Sequence, residues 1–224
     1  MNQDLWKEKI APLRERLLFF LFPPKCAVCG ITGYEPLCPD CEKRIREAFA
    51  PRKYLASGGN SFADGMFALF PYEDAAVKKL LFDWKQEEFR DLPVIFTPYM
   101  ERFVKKKLLP ERIHRIAYLP RRQAMRRKTG FDQAQRMAEI FSRLLELPLE
   151  PLLIRQGRAK AQHKAKFEKR EKNIRGAFRA SHPLEGETVL LIDDIVTTGA
   201  SAREGARILK KAGAMKVYIL SLAH

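Results

Sequence analysis

Val189-Leu190-Leu191-Ile192-Asp193-Asp194-Ile195-Val196-Thr197-Thr198-Gly199-Ala200-Ser201 is an apolar run that reaches two adjacent carboxylates and then a short turn. Residues 188–193 are rich in leucine and β-branched side chains, the pattern of a strand buried on both faces. Residues 201–212 read as the helix that follows, stopped by Gly213. In open α/β sheets, ligands bind at the carboxyl ends of the strands. Here that end carries a loop, Val196 to Ser201, with three hydroxyls and a run of backbone N–H groups at a helix N-terminus. Such an end favours an anion. Gly199 permits a tight turn and a close approach to a phosphate. Asp193 and Asp194 would repel a phosphate, so they serve another group, such as a ribose diol or a substrate-bound Mg²⁺. The competing reading is that Thr198 or Ser201 only caps the helix and the Asp pair stays solvated.

Outward from this stretch, the pattern alternates. Residues 62–70, 113–119, 152–154 and 216–222 read as strands. Residues 73–84, 94–109 and 133–145 read as helices, the last with Ala134, Met137, Ile140, Phe141 and Leu144 on one face. Alternation with short links predicts an α/β fold, a mostly parallel sheet flanked by helices. Residues 51–61, with Pro51, Ser57, Gly58, Gly59 and Asn60, read as a linker. The expected division is therefore a module over 1–50 and a domain over 62–224. Residues 2–22 read as an amphipathic helix stopped by Pro23-Pro24, and 164–173 as a polar, basic helix or loop.

The chain has 224 residues, 46% of them hydrophobic and 31% charged, with a net charge of +15. This is globular composition with a basic balance, which excludes an acidic disordered protein. The longest stretch without a charged residue is 54–63, too short to span a bilayer. The apolar run 17–22 is too short for a secretory signal, so the expected location is the cytoplasm. The basic excess is local. Residues 101–128 hold 11 Lys/Arg against 2 Asp/Glu, and residues 155–179 hold 10 against 2. Two such segments in an otherwise near-neutral chain point to a polyanionic partner, nucleic acid or a polyphosphate substrate.

Cys26-Ala27-Val28-Cys29 and Cys38-Pro39-Asp40-Cys41 account for all four cysteines. Two C-x-x-C knuckles form a tetrahedral S₄ set suited to Zn²⁺, with a redox pair or an Fe–S cluster as the alternatives. Four protein ligands leave no open position, so such a metal is structural. A segment this short has too little core to fold without a staple.

The stretch 189–201 resembles the phosphoribosyl pyrophosphate motif of the type I phosphoribosyltransferases. The Cys₄ module ahead of it makes the whole similar to the ComF family of competence (DNA-uptake) proteins. Further residues carry this resemblance. Arg127-Lys128-Thr129-Gly130-Phe131-Asp132-Gln133-Ala134 looks like the family's R-x-x-G-F-N-Q-A, with Asp132 in place of the usual Asn. Ala161-Gln162 and the run Glu168 to Phe178 look like its P-Q, R-x-x-N-V and A-F segments. The resemblance implies a type I phosphoribosyltransferase-like sheet in which Asp193 and Asp194 contact the ribose hydroxyls. It implies that the loop from Val196 to Ser201 cradles the 5′-phosphate of phosphoribosyl pyrophosphate, with Mg²⁺ arriving with the substrate. Pro120, Arg121 and Arg122 take the pyrophosphate role, although Ala117-Tyr118-Leu119-Pro120 departs from the family's P-V-P-L. Arg127, Lys128, Lys164, Lys169 and Arg170 are the expected anion or nucleic-acid contacts.

The family's link to DNA uptake implies two further partners, single-stranded DNA and a competence helicase. A protein that keeps the fold without turnover could use the basic segments to track a DNA backbone, with Phe131 and Phe167 among them for stacking. Trp6, Phe19, Phe20 and Phe22 would pack on the sheet or face a partner. His114, His163, His182 and His224 share no metal-like spacing and read as ordinary histidines.

Overall fold

The computed structural model describes residues 23–34, 36–54, 62–85, 92–108, 112–121, 132–156 and 174–224. The helix expected over 2–22 and the basic segment 164–173 lie outside the described residues. The chain divides into two compact units, Met1–Glu47 and Ala48–His224.

In the first unit the chain doubles back at Cys26. Its N–H donates to the Ile31 carbonyl, and its carbonyl accepts from Gly30. Gly30 and Gly33 take positive φ, 75° and 91°, which the reversal requires. The second knuckle runs into helix α1, Pro39–Ala48. Proline sits at its first position and Asp40 and Glu42 lie in its first turn, an order that suits the positive end of the helix dipole.

The second unit is built on a five-stranded sheet. In chain order the strands are β1 (Arg52–Lys53), β2 (Gly65–Phe70), β3 (Arg115–Tyr118), β6 (Thr188–Ile195) and β7 (Lys216–Ala223). Their order across the sheet is β1-β2-β7-β6-β3. Only β1, on the edge, runs antiparallel to its neighbour. The expected mostly parallel sheet is therefore present. A separate antiparallel pair joins β4 (Leu153–Arg155) to β5 (Phe178–Ala180). Among the described residues of this unit the helices are α2 (Ala75–Lys85), α3 (Leu92–Phe103), α4 (Gln133–Leu145) and α5 (Ala200–Lys211).

The alternation of β-strand side chains explains how the sheet is covered. Val189 and Leu191 of β6 join Ala117 of β3, Val217 and Ile219 of β7, and Ala202, Ala206 and Leu209 of α5 in one buried cluster. The alternate residues Ile116, Leu190, Ile192 and Leu220 are equally buried. Helix α4 packs on β3 and β6 through Ala134, Met137, Ala138, Ile140 and Phe141. With both faces covered, β6 carries almost no polar residue until its end. Gly205 brings α5 close to the sheet: a Cβ there would crowd Leu119, Leu153 and Leu191.

Several boundaries differ from the sequence reading for physical reasons. Arg52 and Lys53, read as linker, pair with Ala68 and Phe67 because an exposed polar dipeptide can hydrogen-bond along a sheet edge. Strand β6 runs two residues past Asp193, so the carboxylate pair lies within the strand end. Helix α2 begins at Ala75 because Asp74 caps it, its Oδ1 accepting from the N–H groups of Ala76 and Val77 at 2.9 Å each. The helix expected over 94–109 changes after Phe103 to a π-turn, Val104–Leu108. The wider turn lets the consecutive residues Phe103 and Val104 both face inward, while Lys105, Lys106 and Lys107 stay exposed. Among the described residues no helix is long and apolar enough to cross a membrane.

Candidate functional site

The carboxyl end of β6 meets the start of α5 through Val196 to Gly199. The Val196 N–H donates to the Ala223 carbonyl at 3.0 Å, tying the loop to the end of β7. Gly199 takes φ 72° and is the N-cap of α5, which has no side-chain cap. The one nearby hydroxyl bond is long, 3.4 Å from the Ala200 N–H to Thr198 Oγ1. Simple capping by Thr198 or Ser201 therefore does not account for the two hydroxyl residues. Thr197 is exposed and Thr198 and Ser201 are half-buried, while Gly199 and Ala200 are buried.

Asp193 and Asp194 stand side by side at the strand end, with different surroundings. The Asp194 N–H donates to Asp193 Oδ1 at 2.9 Å, and the Ile195 N–H donates to Asp194 Oδ1 at 2.8 Å. Asp194 is 9% exposed. Its Oδ2 accepts from Arg121 Nη2 at 2.9 Å and lies 3.6 Å from Lys85 Nζ. Burial works against its charge, but Lys85, Arg121 and the Ile195 N–H hold its carboxyl below the ordinary range. Burial and the charge of Asp194 push Asp193 the other way, well above that range. The two neighbouring carboxyls are thus pushed in opposite directions, Asp194 towards its charged form and Asp193 towards its protonated form.

Arg121 is placed by its own backbone. Its N–H donates to Asp132 Oδ2 at 3.0 Å. Asp132 is buried and caps α4, its Oδ1 accepting from the Gln135 N–H. One carboxylate therefore joins the loop after β3 to the start of α4. Glu204 plays a similar part on α5. It accepts from the Gly176 N–H at 2.8 Å and takes both arms of the Arg207 guanidinium.

The structure thus brings together Asp193, Asp194, Arg121 and the loop from Val196 to Ser201, with Pro120 next to Arg121 in the chain. Arg122, Arg127, Lys128, Phe131, Lys164, Phe167, Lys169 and Arg170 lie outside the described residues. Lys85, 3.6 Å from Asp194 Oδ2, is a neighbour of the carboxylate pair that sequence reading did not single out. Nothing local distinguishes it from any lysine in the last turn of a helix.

The four cysteine Sγ atoms lie within 4.8 Å of one another. Cys29 Sγ and Cys38 Sγ are 3.7 Å apart. Tetrahedral thiolates at about 2.3 Å from a metal are about 3.8 Å apart, so the set could hold a metal ion. Burial opposes ionisation of Cys26, but the N–H groups of Cys29, Cys38 and Val28 outweigh it and bring that thiol down to about 6.

The unequal surroundings of the Asp pair predict unequal variants. An acid whose folded pKa is raised costs stability at neutral pH, and that cost disappears below about pH 4. Asp193→Asn should therefore stabilise the Mg²⁺-free protein at pH 7.5, with the gain vanishing towards pH 4. Asp194→Asn should lose about 1–2 kcal/mol at pH 7.5, since two cations lose their shared partner at a partly exposed site. That penalty should shrink as pH falls through the carboxylate range. Urea unfolding midpoints across pH measure both; equal losses in the two variants would contradict the assignment.

Residues 131–224 match the family described as phosphoribosyl transferase domain, a span that contains the carboxylate pair and its loop. DNA utilization protein YhgH of Escherichia coli (strain K12) is 33% identical over 115 residues, covering 51% of this chain and 49% of that protein. Competence protein F of Haemophilus influenzae is 29% identical over 119 residues, 51% of each chain. The chain thus spans about half the length of these two relatives. Competence protein ComFC of Bacillus subtilis is 27% identical over 194 residues, covering 84% of this chain and 72% of that one. With a four-cysteine cluster ahead of a span that matches the phosphoribosyl transferase domain, on a mostly parallel sheet, the chain is similar to these competence and DNA utilization proteins, as the resemblance to the ComF family led one to expect.

Proposed function

We propose that this chain binds phosphoribosyl pyrophosphate with Mg²⁺ at the end of β6 and acts in DNA uptake during natural transformation. The observation that carries the binding reading is the order of groups there: two carboxylates, then a turn at positive φ, then a helix whose N-cap offers no side-chain hydrogen bond. Backbone N–H groups of Thr198 to Ser201 would meet the 5′-phosphate. Asp193 and Asp194 would hold the ribose hydroxyls, and Arg121 the diphosphate. Mg²⁺, bound with the ligand, would neutralise diphosphate charge. The role in DNA uptake rests on the names of the relatives. A competence helicase is the partner that this reading implies, and the cytoplasm the location.

In phosphoribosyl transfer the diphosphate leaves the anomeric carbon, so positive charge grows on the sugar and negative charge on the leaving group. Protein groups act by positioning and by fixed charge. A carboxylate beneath the sugar and a guanidinium at the diphosphate have the required signs.

A second reading is binding of single-stranded DNA without turnover. Exposed Lys105, Lys106 and Lys107 on the π-turn favour it, since they form a basic patch on residues the carboxylate site does not use. Calorimetric titration separates the two. Saturable binding of phosphoribosyl pyrophosphate with Mg²⁺, lost in the Asp193→Asn/Asp194→Asn double variant, is the expected result. No binding by a folded, metal-loaded protein would refute it. DNA binding whose log K falls by about 0.7 per neutralised phosphate for each unit of log salt would then support the second reading.

The cysteine module is proposed to hold one structural Zn²⁺. The 3.7 Å Sγ–Sγ distance fits tetrahedral thiolate, and a unit this small has few apolar residues to stabilise it. Elemental analysis should find one zinc per chain. Chelation should expose the four thiols to a thiol reagent while β2, β6 and β7 keep their amide protection. Slow reaction of the thiols after chelation, or a metal content near zero in the folded protein, contradicts this.

A further inference from the structure

Lys85 is the last residue of α2, and the buried face of that helix sets where it points. Ala76, Val77, Leu80, Leu81 and Trp84 are all buried, and Trp84, at 1% exposure, fixes the last turn. A lysine at a helix C-terminus is ordinary, because the dipole favours a cation there, and its side chain usually extends into water. This one turns to the carboxylate pair and stops 3.6 Å from Asp194 Oδ2. The same oxygen already accepts from Arg121. Two cations thus converge on one carboxylate oxygen. The convergence takes place where Asp194 and the Arg121 side chain are largely buried. Lys85 and Arg121 come from elements far apart in the chain, and neither belongs to the loop from Val196 to Ser201.

We propose that Lys85 is a second diphosphate-binding residue, paired with Arg121, and that Asp194 occupies both cations only until the ligand's diphosphate takes them over. This rests on the reading that phosphoribosyl pyrophosphate is the ligand, and it adds a residue from a helix that the phosphate loop and the carboxylate pair do not use. A flexible four-carbon stem lets the ammonium swing from the carboxylate to a phosphoryl oxygen without moving α2. Lys85 therefore distinguishes a 1-diphosphorylated sugar from one that carries only the 5′-phosphate.

Calorimetry with three probes tests this: ribose 5-phosphate, inorganic diphosphate with Mg²⁺, and phosphoribosyl pyrophosphate with Mg²⁺. Lys85→Met keeps the apolar stem and removes the charge, and thermal melting checks that it folds. It should lower affinity for the two diphosphate-bearing probes about tenfold or more, the range of a charge-assisted hydrogen bond. Affinity for ribose 5-phosphate should stay within about twofold, and Lys85→Arg should restore most of the loss. Unchanged diphosphate affinity in Lys85→Met overturns the inference. So does an equal loss for ribose 5-phosphate, which would mean that Lys85 acts only through Asp194. If the parent binds all three probes and only the Lys85→Met result departs from expectation, this inference fails alone; if the parent binds ribose 5-phosphate but not the diphosphate probes, the phosphoribosyl pyrophosphate reading fails with it. If the parent does not bind ribose 5-phosphate either, the phosphate-loop reading fails and takes the inference with it.

Discussion

Two carboxylates on neighbouring residues at the end of a buried strand cannot both be charged without help. Desolvation penalises each, and each raises the other's proton affinity. The rest of the site answers this constraint. Arg121 and Lys85 reach Asp194 from a loop and from a helix end, so that residue keeps its charge. Burial and the charge beside it push the Asp193 carboxyl the other way, well above the ordinary range. Asp132 fixes the backbone of Arg121 and starts α4, so the position of the guanidinium is tied to a helix that packs on β6 itself. Strand, loop and helix thus converge on one carboxylate pair and the two cations beside it.

The sheet was legible where burial is two-sided. Strand β6 announces itself because a strand covered on both faces needs an unbroken apolar run, and Val189 to Ile192 supplies one. Helix α4 was legible to the residue, Gln133 to Leu145, since its apolar face repeats at helical spacing; the Asp132 cap is a finding of the structure. The short elements were not. Strands β1 and β5 have two and three residues, and their pairing depends on neighbours distant in the chain. The π-turn at Val104 follows from packing that no local pattern encodes.

The site was legible in the same uneven way. Asp193, Asp194 and Gly199 announce themselves by lying in register between a buried strand and a helix. Arg121 was expected as an anion ligand, and in the free site it is an ion-pair partner of Asp194, which only the fold could reveal. Lys85 carried no signal, since its meaning lies in which carboxylate the rotation of α2 brings within reach. The four cysteines are the opposite case. Their spacing alone predicted a cluster, and their Sγ atoms do converge.

The central claim is that the loop from Val196 to Ser201 holds a phosphate while the carboxylate pair holds a sugar. A crystal structure of the protein grown with phosphoribosyl pyrophosphate and Mg²⁺ tests it most directly. The account predicts the 5′-phosphate within hydrogen-bond reach of the N–H groups of Thr198 to Ser201, with the ribose hydroxyls against Asp193 and Asp194. Ligand bound elsewhere, with that loop empty at saturating concentration, would contradict it.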